Sequence, residues 1–180
     1  MTLTGLHPSA ATHALNRLSA QGLLTKIKRG LWLTGPARDV SSFELLPFLA
    51  APWPAYVSLY SALSQYSVIE EVPHVVYGVT SGRPAKIKTP LGAFHLHHLP
   101  PRLIWGYQAQ RTAHGIIHMA EPEKAFLDLI YLSLIPRSPL KAPQKRGRQW
   151  NLNPKTLRTY AEKFNFIPLK DFLRKSLNRI

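Results

Sequence analysis

The stretch Leu15–Trp32, LNRLSAQGLLTKIKRGLW, leaves little choice of local structure. Ala11, Ala14, Leu15 and Leu18 recur at helical spacing, so residues 8–21 are predicted to form a helix with one narrow apolar stripe. Pro8 suits its first turn, where a missing N–H leaves nothing unsatisfied. Gly22 suits its stop, because glycine takes the left-handed conformation freely. Two short apolar runs follow, LLTKI and LWLT, separated by Lys28, Arg29 and Gly30. With Gly30 able to adopt positive φ, residues 23–34 are predicted to be a β-hairpin with a basic tip.

Charge says what such an arrangement meets. The chain carries 23 Lys and Arg against 9 Asp and Glu, a formal net charge of +14. A protein this basic is expected to meet a polyanion, and nucleic acid is the default. The imbalance is also local. No acidic residue occurs between Val72 and Ala120, a span that holds Arg83, Lys86, Lys88, Arg102 and Arg111. Five more basic residues and no acid fall between Arg137 and Arg148. Clustered cations of this kind release counterions when they meet phosphates.

Helix, glycine and basic hairpin together make the back half of a winged helix. The polar face Ser9, Thr12, His13, Asn16 and Arg17 is then expected to read base edges. Lys26, Lys28 and Arg29 on the wing are expected to hold phosphate, with Arg83, Lys86, Lys88, Lys145, Arg146 and Arg148 adding phosphate contacts further along. A helix-turn-helix needs a supporting helix before the reading helix. Seven residues precede Pro8, and at about 1.5 Å per residue they are too few to supply one. The expectation is that the front of the domain lies upstream or has been lost.

The absence of cysteine excludes disulfides, thiol nucleophiles and cysteine-ligated zinc, and fits a reducing cytoplasm. No apolar run has the length of a membrane span, and the N-terminus lacks a basic and then apolar leader pattern. A cytoplasmic protein with no membrane partner is expected.

Beyond a hinge at residues 36–42, Ser41–Glu44 has capping-box spacing and is predicted to open a short helix, FELLPFLA, limited by Pro47. APWPA reads as a rigid loop. A helix is predicted from Ser58 to about Tyr66, a strand at HVVYGVTS, and a hairpin in AKIKTPLGAFHLHHL turning at Thr89–Gly92. RLIWGYQ and GIIHMA read as further strands, followed by helices at PEKAFLDLIYLSL, KTLRTYAEKFN and LKDFLRKSL. The fold class is therefore α+β: a truncated winged helix-turn-helix in residues 1–35, then a mixed α/β domain in residues 40–180 with antiparallel strands and C-terminal helices.

The blocks YVSLYSALSQYSVIEEVP, VVYGVTSGRP, TPLGAFHLHHLP, WGY and AEPEKAFLDLIYL occur in that order. In order and spacing they resemble the AbiEi family, antitoxins of type IV toxin–antitoxin systems encoded beside a nucleotidyltransferase-like AbiEii toxin. LNRLSAQGLLTKIKRGLW resembles the N-terminal winged helix of that family. The likeness runs from about Leu6 to Leu177. It departs at the front, where family members carry two helices ahead of the reading helix. The resemblance implies a transcriptional autorepressor of an abortive-infection operon. Its N-terminal part would bind double-stranded DNA at inverted repeats in its own promoter. Its C-terminal part would counter the toxin, with or without direct contact, and the protein can oligomerise.

Other groupings invite chemistry. His95 and His97 share a strand face, and with His98, His114 or His118 they raise the question of a metal. Without cysteine or a nearby carboxylate, they read as polar-face histidines on a basic sheet. Glu121, Glu123, Lys124 and Asp128 raise that of a nuclease site. Yet the glutamates suit a helix start and Lys124 with Asp128 an ordinary i,i+4 pair. Ser81–Pro84, SGRP, reads as a tight turn whose amides and Arg83 can alternatively hold a phosphate. Ser58, Ser61 and Ser64 have no nucleophile-elbow pattern around them. No catalytic residue, metal or cofactor is expected. The alternative is a metal-dependent nuclease or another nucleic-acid-modifying enzyme.

Overall fold

A computed structural model of the chain describes residues 7–35, 37–143 and 150–177. It is an α+β protein with two sheets. Helix α1 spans Pro8–Ala20 and ends where Gly22 takes φ +75°. Strands β1 (Leu24–Lys28) and β2 (Leu31–Thr34) form an antiparallel hairpin, with a register shift between Lys26 and Lys28 and Gly30 at φ +76°.

The remaining strands are β3 (Ala55–Val57), β4 (Val76–Thr80), β5 (Ala85–Thr89), β6 (Gly92–His98), β7 (Tyr107–Arg111) and β8 (Ile116–Ala120). They make one sheet in the order β5-β6-β4-β3-β8-β7. The sheet is mixed: β4 runs parallel to β6, and β3 parallel to β8. Both parallel pairings go beyond the expected antiparallel strands.

One face of the sheet is covered by a 3-10 turn (Ser42–Leu45) running into α2 (Leu46–Ala50). The fit is close at Gly78, where a Cβ would lie 2.6 Å from Leu46 Cδ1. The other face is covered by α3 (Leu59–Gln65) and α4 (Pro122–Ser133), with α5 (Pro154–Phe164) and α6 (Ile167–Leu177) packed against α4. Helix α4 buries nearly its whole circumference, from Glu123 through Ile130 and again at Leu132, as a helix between two apolar layers must. Helix α5 is capped by Asn153, whose side chain accepts from the N–H groups of Lys155 and Thr156.

Four local expectations change. The loop assigned to APWPA contains the start of β3, the strand at the centre of the sheet. Pro47 lies in the first turn of α2 and does not end it. Ser41 accepts from Phe43 N–H, but the return arm of the capping box is not made: Glu44 accepts instead from Thr112 Oγ1 at 2.9 Å. The 3-10 turn Pro101–Leu103 takes the first two residues of RLIWGYQ, and the strand begins only at Tyr107. Among the described residues no helix is long and apolar enough to cross a membrane.

Candidate nucleic-acid interface

Helix α1 buries none of its side chains. Of its apolar stripe, Ala11, Ala14 and Leu15 are half-buried and Leu18 is exposed. Its polar residues Ser9, Thr12, His13, Asn16 and Arg17 are all exposed. Ser9 pairs with His7 and Thr12 donates to the Pro8 carbonyl, both within the first turn. His13, Asn16 and Arg17 have no side-chain hydrogen bond among the described residues, which leaves their donors and acceptors free for a partner.

The three basic residues of the hairpin have different fates. Arg29 is exposed at the tip. Lys26 is exposed with its ammonium 5.4 Å from the Trp32 ring centroid. Lys28 is half-buried and donates to the Leu49 carbonyl at 3.0 Å, which ties the hairpin to the end of α2. Beside it, Ile27 is buried in the main core. Lys28 is thus a tether as well as a cation, while Lys26 and Arg29 are the exposed cations of the hairpin.

The second basic stretch is split by strand alternation. Lys86 pairs in register with His95 and Ala85 with Leu96, so Lys86 and Lys88 stand on the sheet face opposite Leu96. Arg83 lies in the β4–β5 turn and lines a cleft on the Leu96 side. The three are not one patch. Lys145, Arg146 and Arg148 lie outside the described residues.

The histidines divide the same way. His95 and His97 flank Tyr77, with ring centroids 5.4 and 6.1 Å away, and His98 points to the other face. Among the described residues no group of three His, Asp or Glu is placed to share a metal ion. His97 Nε2 is buried with no hydrogen-bond partner. Burial first, then His95 and Lys86, hold the His97 pKa down at about 4. A histidine depressed in this way is neutral in the fold and takes up a proton on unfolding between pH 6.5 and 4. The stability present above pH 6.5 is therefore lost as pH falls through about 4. We expect His97→Phe, which keeps a ring against Tyr77, to flatten the fall in Tm between pH 7 and pH 4. Parallel Tm curves for the two proteins would refute this role.

The acidic helix start is engaged in structure. Glu123 accepts from the Asn153 N–H at 2.7 Å, joining α4 to the cap of α5. Glu121 accepts from Gln108 Nε2 at 3.0 Å and from the Tyr160 hydroxyl at 2.5 Å, and holds the Tyr160 pKa up at about 12.

The pair expected to be ordinary is not. Lys124 and Asp128 are both fully buried and ion-paired with one another. Asp128 Oδ2 also accepts from the hydroxyls of Tyr56, at 3.0 Å, and Ser58, at 2.9 Å. The Lys124 ammonium donates to Tyr56 Oη at 2.7 Å and sits among the rings of Tyr56, Trp105 and Phe164, 4.9–5.3 Å from their centroids. Burial pushes Asp128 up and Lys124 down, and each partner pulls the other back toward its charged form. Tyr56 and Ser58 were not legible as its partners, since about seventy residues separate them from Asp128. All four side chains are sealed from solvent, so this network joins β3 to α4 and cannot be reached by a substrate without parting the layers.

The fold and its exposed groups thus define an α+β protein with a basic helix–hairpin at its N-terminal end. No family model matches the chain, and no curated protein is detectably similar to it.

Proposed function

We propose that the chain is a DNA-binding transcriptional autorepressor and antitoxin of the AbiEi type. On this reading α1 and the hairpin act as a partial winged helix on the operon's promoter, and the six-stranded sheet with its helices counters a nucleotidyltransferase-like toxin. The observation that carries the DNA-binding reading is the exposure of His13, Asn16 and Arg17 on a helix with no buried side chain, immediately before a hairpin that presents Lys26 and Arg29. The net charge of +14 supports a polyanionic partner. The ordered blocks that resemble the family support the antitoxin role.

Two measurements test the two halves. Fluorescence anisotropy on duplexes tiling the promoter should find one preferred site, with affinity falling steeply as salt rises. Expression with the cognate toxin should restore growth. Equal binding to every duplex, or no rescue by a well-folded protein, would refute the corresponding half. Within the preferred site, Arg17→Ala should cost about 1–3 kcal/mol at one base position and relax preference there. Arg29→Ala should weaken all sequences alike, as loss of a phosphate contact does. The assignment fails if both variants show one pattern across a panel of operator variants.

A further inference from the structure

A cleft of about 490 Å³ opens where α2 ends against the β4–β5 turn. Trp53, 54% exposed, forms one wall. Leu49 and Leu96 form the apolar floor, and Arg83 and His98 stand at the polar side. None of the residues that line it is acidic.

The wall is held from several directions. Trp53 N–H donates to the Ala50 carbonyl at 3.1 Å. The indole rests against Gly82, where an added Cβ would lie 2.4 Å from Cδ1 and 2.7 Å from Cγ. Glycine is required here for close approach. Thr80, buried, donates to the Pro54 carbonyl at 2.9 Å and accepts from Gly82 N–H at 3.1 Å, so the loop before β3 and the β4–β5 turn are fixed together. The Gly82 amide is thereby used internally, and an anion at this turn must be held chiefly by side chains.

Two side chains are free to hold one. Arg83 is exposed and makes no side-chain hydrogen bond among the described residues. His98 Nδ1 lies 2.9 Å from the Gly82 carbonyl, which can only accept. Nδ1 therefore donates to it, and Nε2, an acceptor in the neutral ring, donates to an anion when the ring is doubly protonated. The cleft combines a large exposed aromatic surface, a guanidinium and an imidazole, with no carboxylate to repel an anion. Its volume falls in the range of small-ligand sites.

We propose that this cleft binds one nucleotide, its base stacked on Trp53 and its phosphate held by Arg83 and by the imidazolium form of His98. The nucleotide is either free or an unpaired residue of a single strand, since both present a planar base and an adjacent phosphate. The site is separate from the duplex-reading helix, and the two stand or fall independently.

The test uses the full chain and follows tryptophan fluorescence during titration with uridine, UMP, a single-stranded oligothymidylate and a duplex of the same length. The other three tryptophans, Trp32, Trp105 and Trp150, are each less exposed than Trp53. UMP should give saturable quenching that is lost in Trp53→Leu. Arg83→Ala should weaken UMP on the order of tenfold and leave uridine unchanged. Both side chains are exposed, which favours folded variants. The indole N–H resonance of Trp53, assigned by its disappearance in Trp53→Leu, gives a second readout that should shift on UMP addition. Tighter binding of the oligonucleotide than of UMP would make the strand the source, and the reverse would make it the free nucleotide; either upholds the site. A Trp53 resonance unmoved by every single-stranded probe, wild-type quenching in Trp53→Leu, or equal losses for uridine and UMP in Arg83→Ala would overturn it.

Discussion

Asp128→Leu is expected to destabilise the fold by about 3–5 kcal/mol, and adding Lys124→Met to the same chain to recover most of that loss. The single change leaves an ammonium with no counter-charge among the rings of Tyr56, Trp105 and Phe164. It also leaves the hydroxyls of Tyr56 and Ser58 without the carboxylate oxygen that both use. The ring faces favour a cation, but desolvating an unpaired ammonium costs more than such contacts return. The double change removes both charges and keeps a similar volume. What remains is two hydroxyls short of an acceptor, a smaller loss. Urea midpoints for the wild type, both single variants and the double variant would check this as a cycle. Strictly additive losses would show that the pair does not act as a unit.

This network also shows where reading the sequence stops. The i,i+4 spacing of Lys124 and Asp128 was plain, and so was the apolar character of their helix. Spacing alone does not say whether such a pair faces water. The signal for burial was the helix itself: Ala125, Phe126, Leu127, Leu129, Ile130 and Leu132 leave no continuous polar face, so any charge among them is surrounded. Tyr56 and Ser58 could not be linked to it, because their proximity depends on sheet order. That order depends on β3, a three-residue strand preceded by two prolines and too short for a visible period. A strand buried on both faces shows no alternation in any case. The hairpin of β5 and β6 was legible for the opposite reason: it is local, its turn residues are diagnostic, and half-burial gives it a period of two. The same alternation turns Lys86 and Lys88 away from the Leu96 side, where Arg83 in the preceding turn lines the cleft, a consequence that charge counting along the chain does not capture.

The N-terminal segment was legible as helix and hairpin because its signals are local as well. Its stability is another matter and leads to the second large effect. Amides of α1 are expected to exchange with solvent at least about a thousandfold faster than those of α4, with the hairpin between them. Helix α4 is enclosed by sheet and helices, so its amides exchange only when most of the fold opens, at an expense near the global stability of about 5–15 kcal/mol. Helix α1 has 13 residues and no buried side chain, and a helix that short is marginal in water. A two-stranded hairpin alone is marginal too. This one gains support from Ile27, buried in the main core, and from the Lys28 bond to the Leu49 carbonyl. Lys28→Met removes that bond while keeping most of the side-chain volume. It should speed exchange in residues 24–34 and leave α4 unchanged. Operator DNA should slow exchange in α1 if its free polar face is the binding surface. Protection in α1 equal to that in α4, in a monomer without DNA, would show that the helix is held by contacts other than those described. It would also remove the argument that its exposed side chains await a partner.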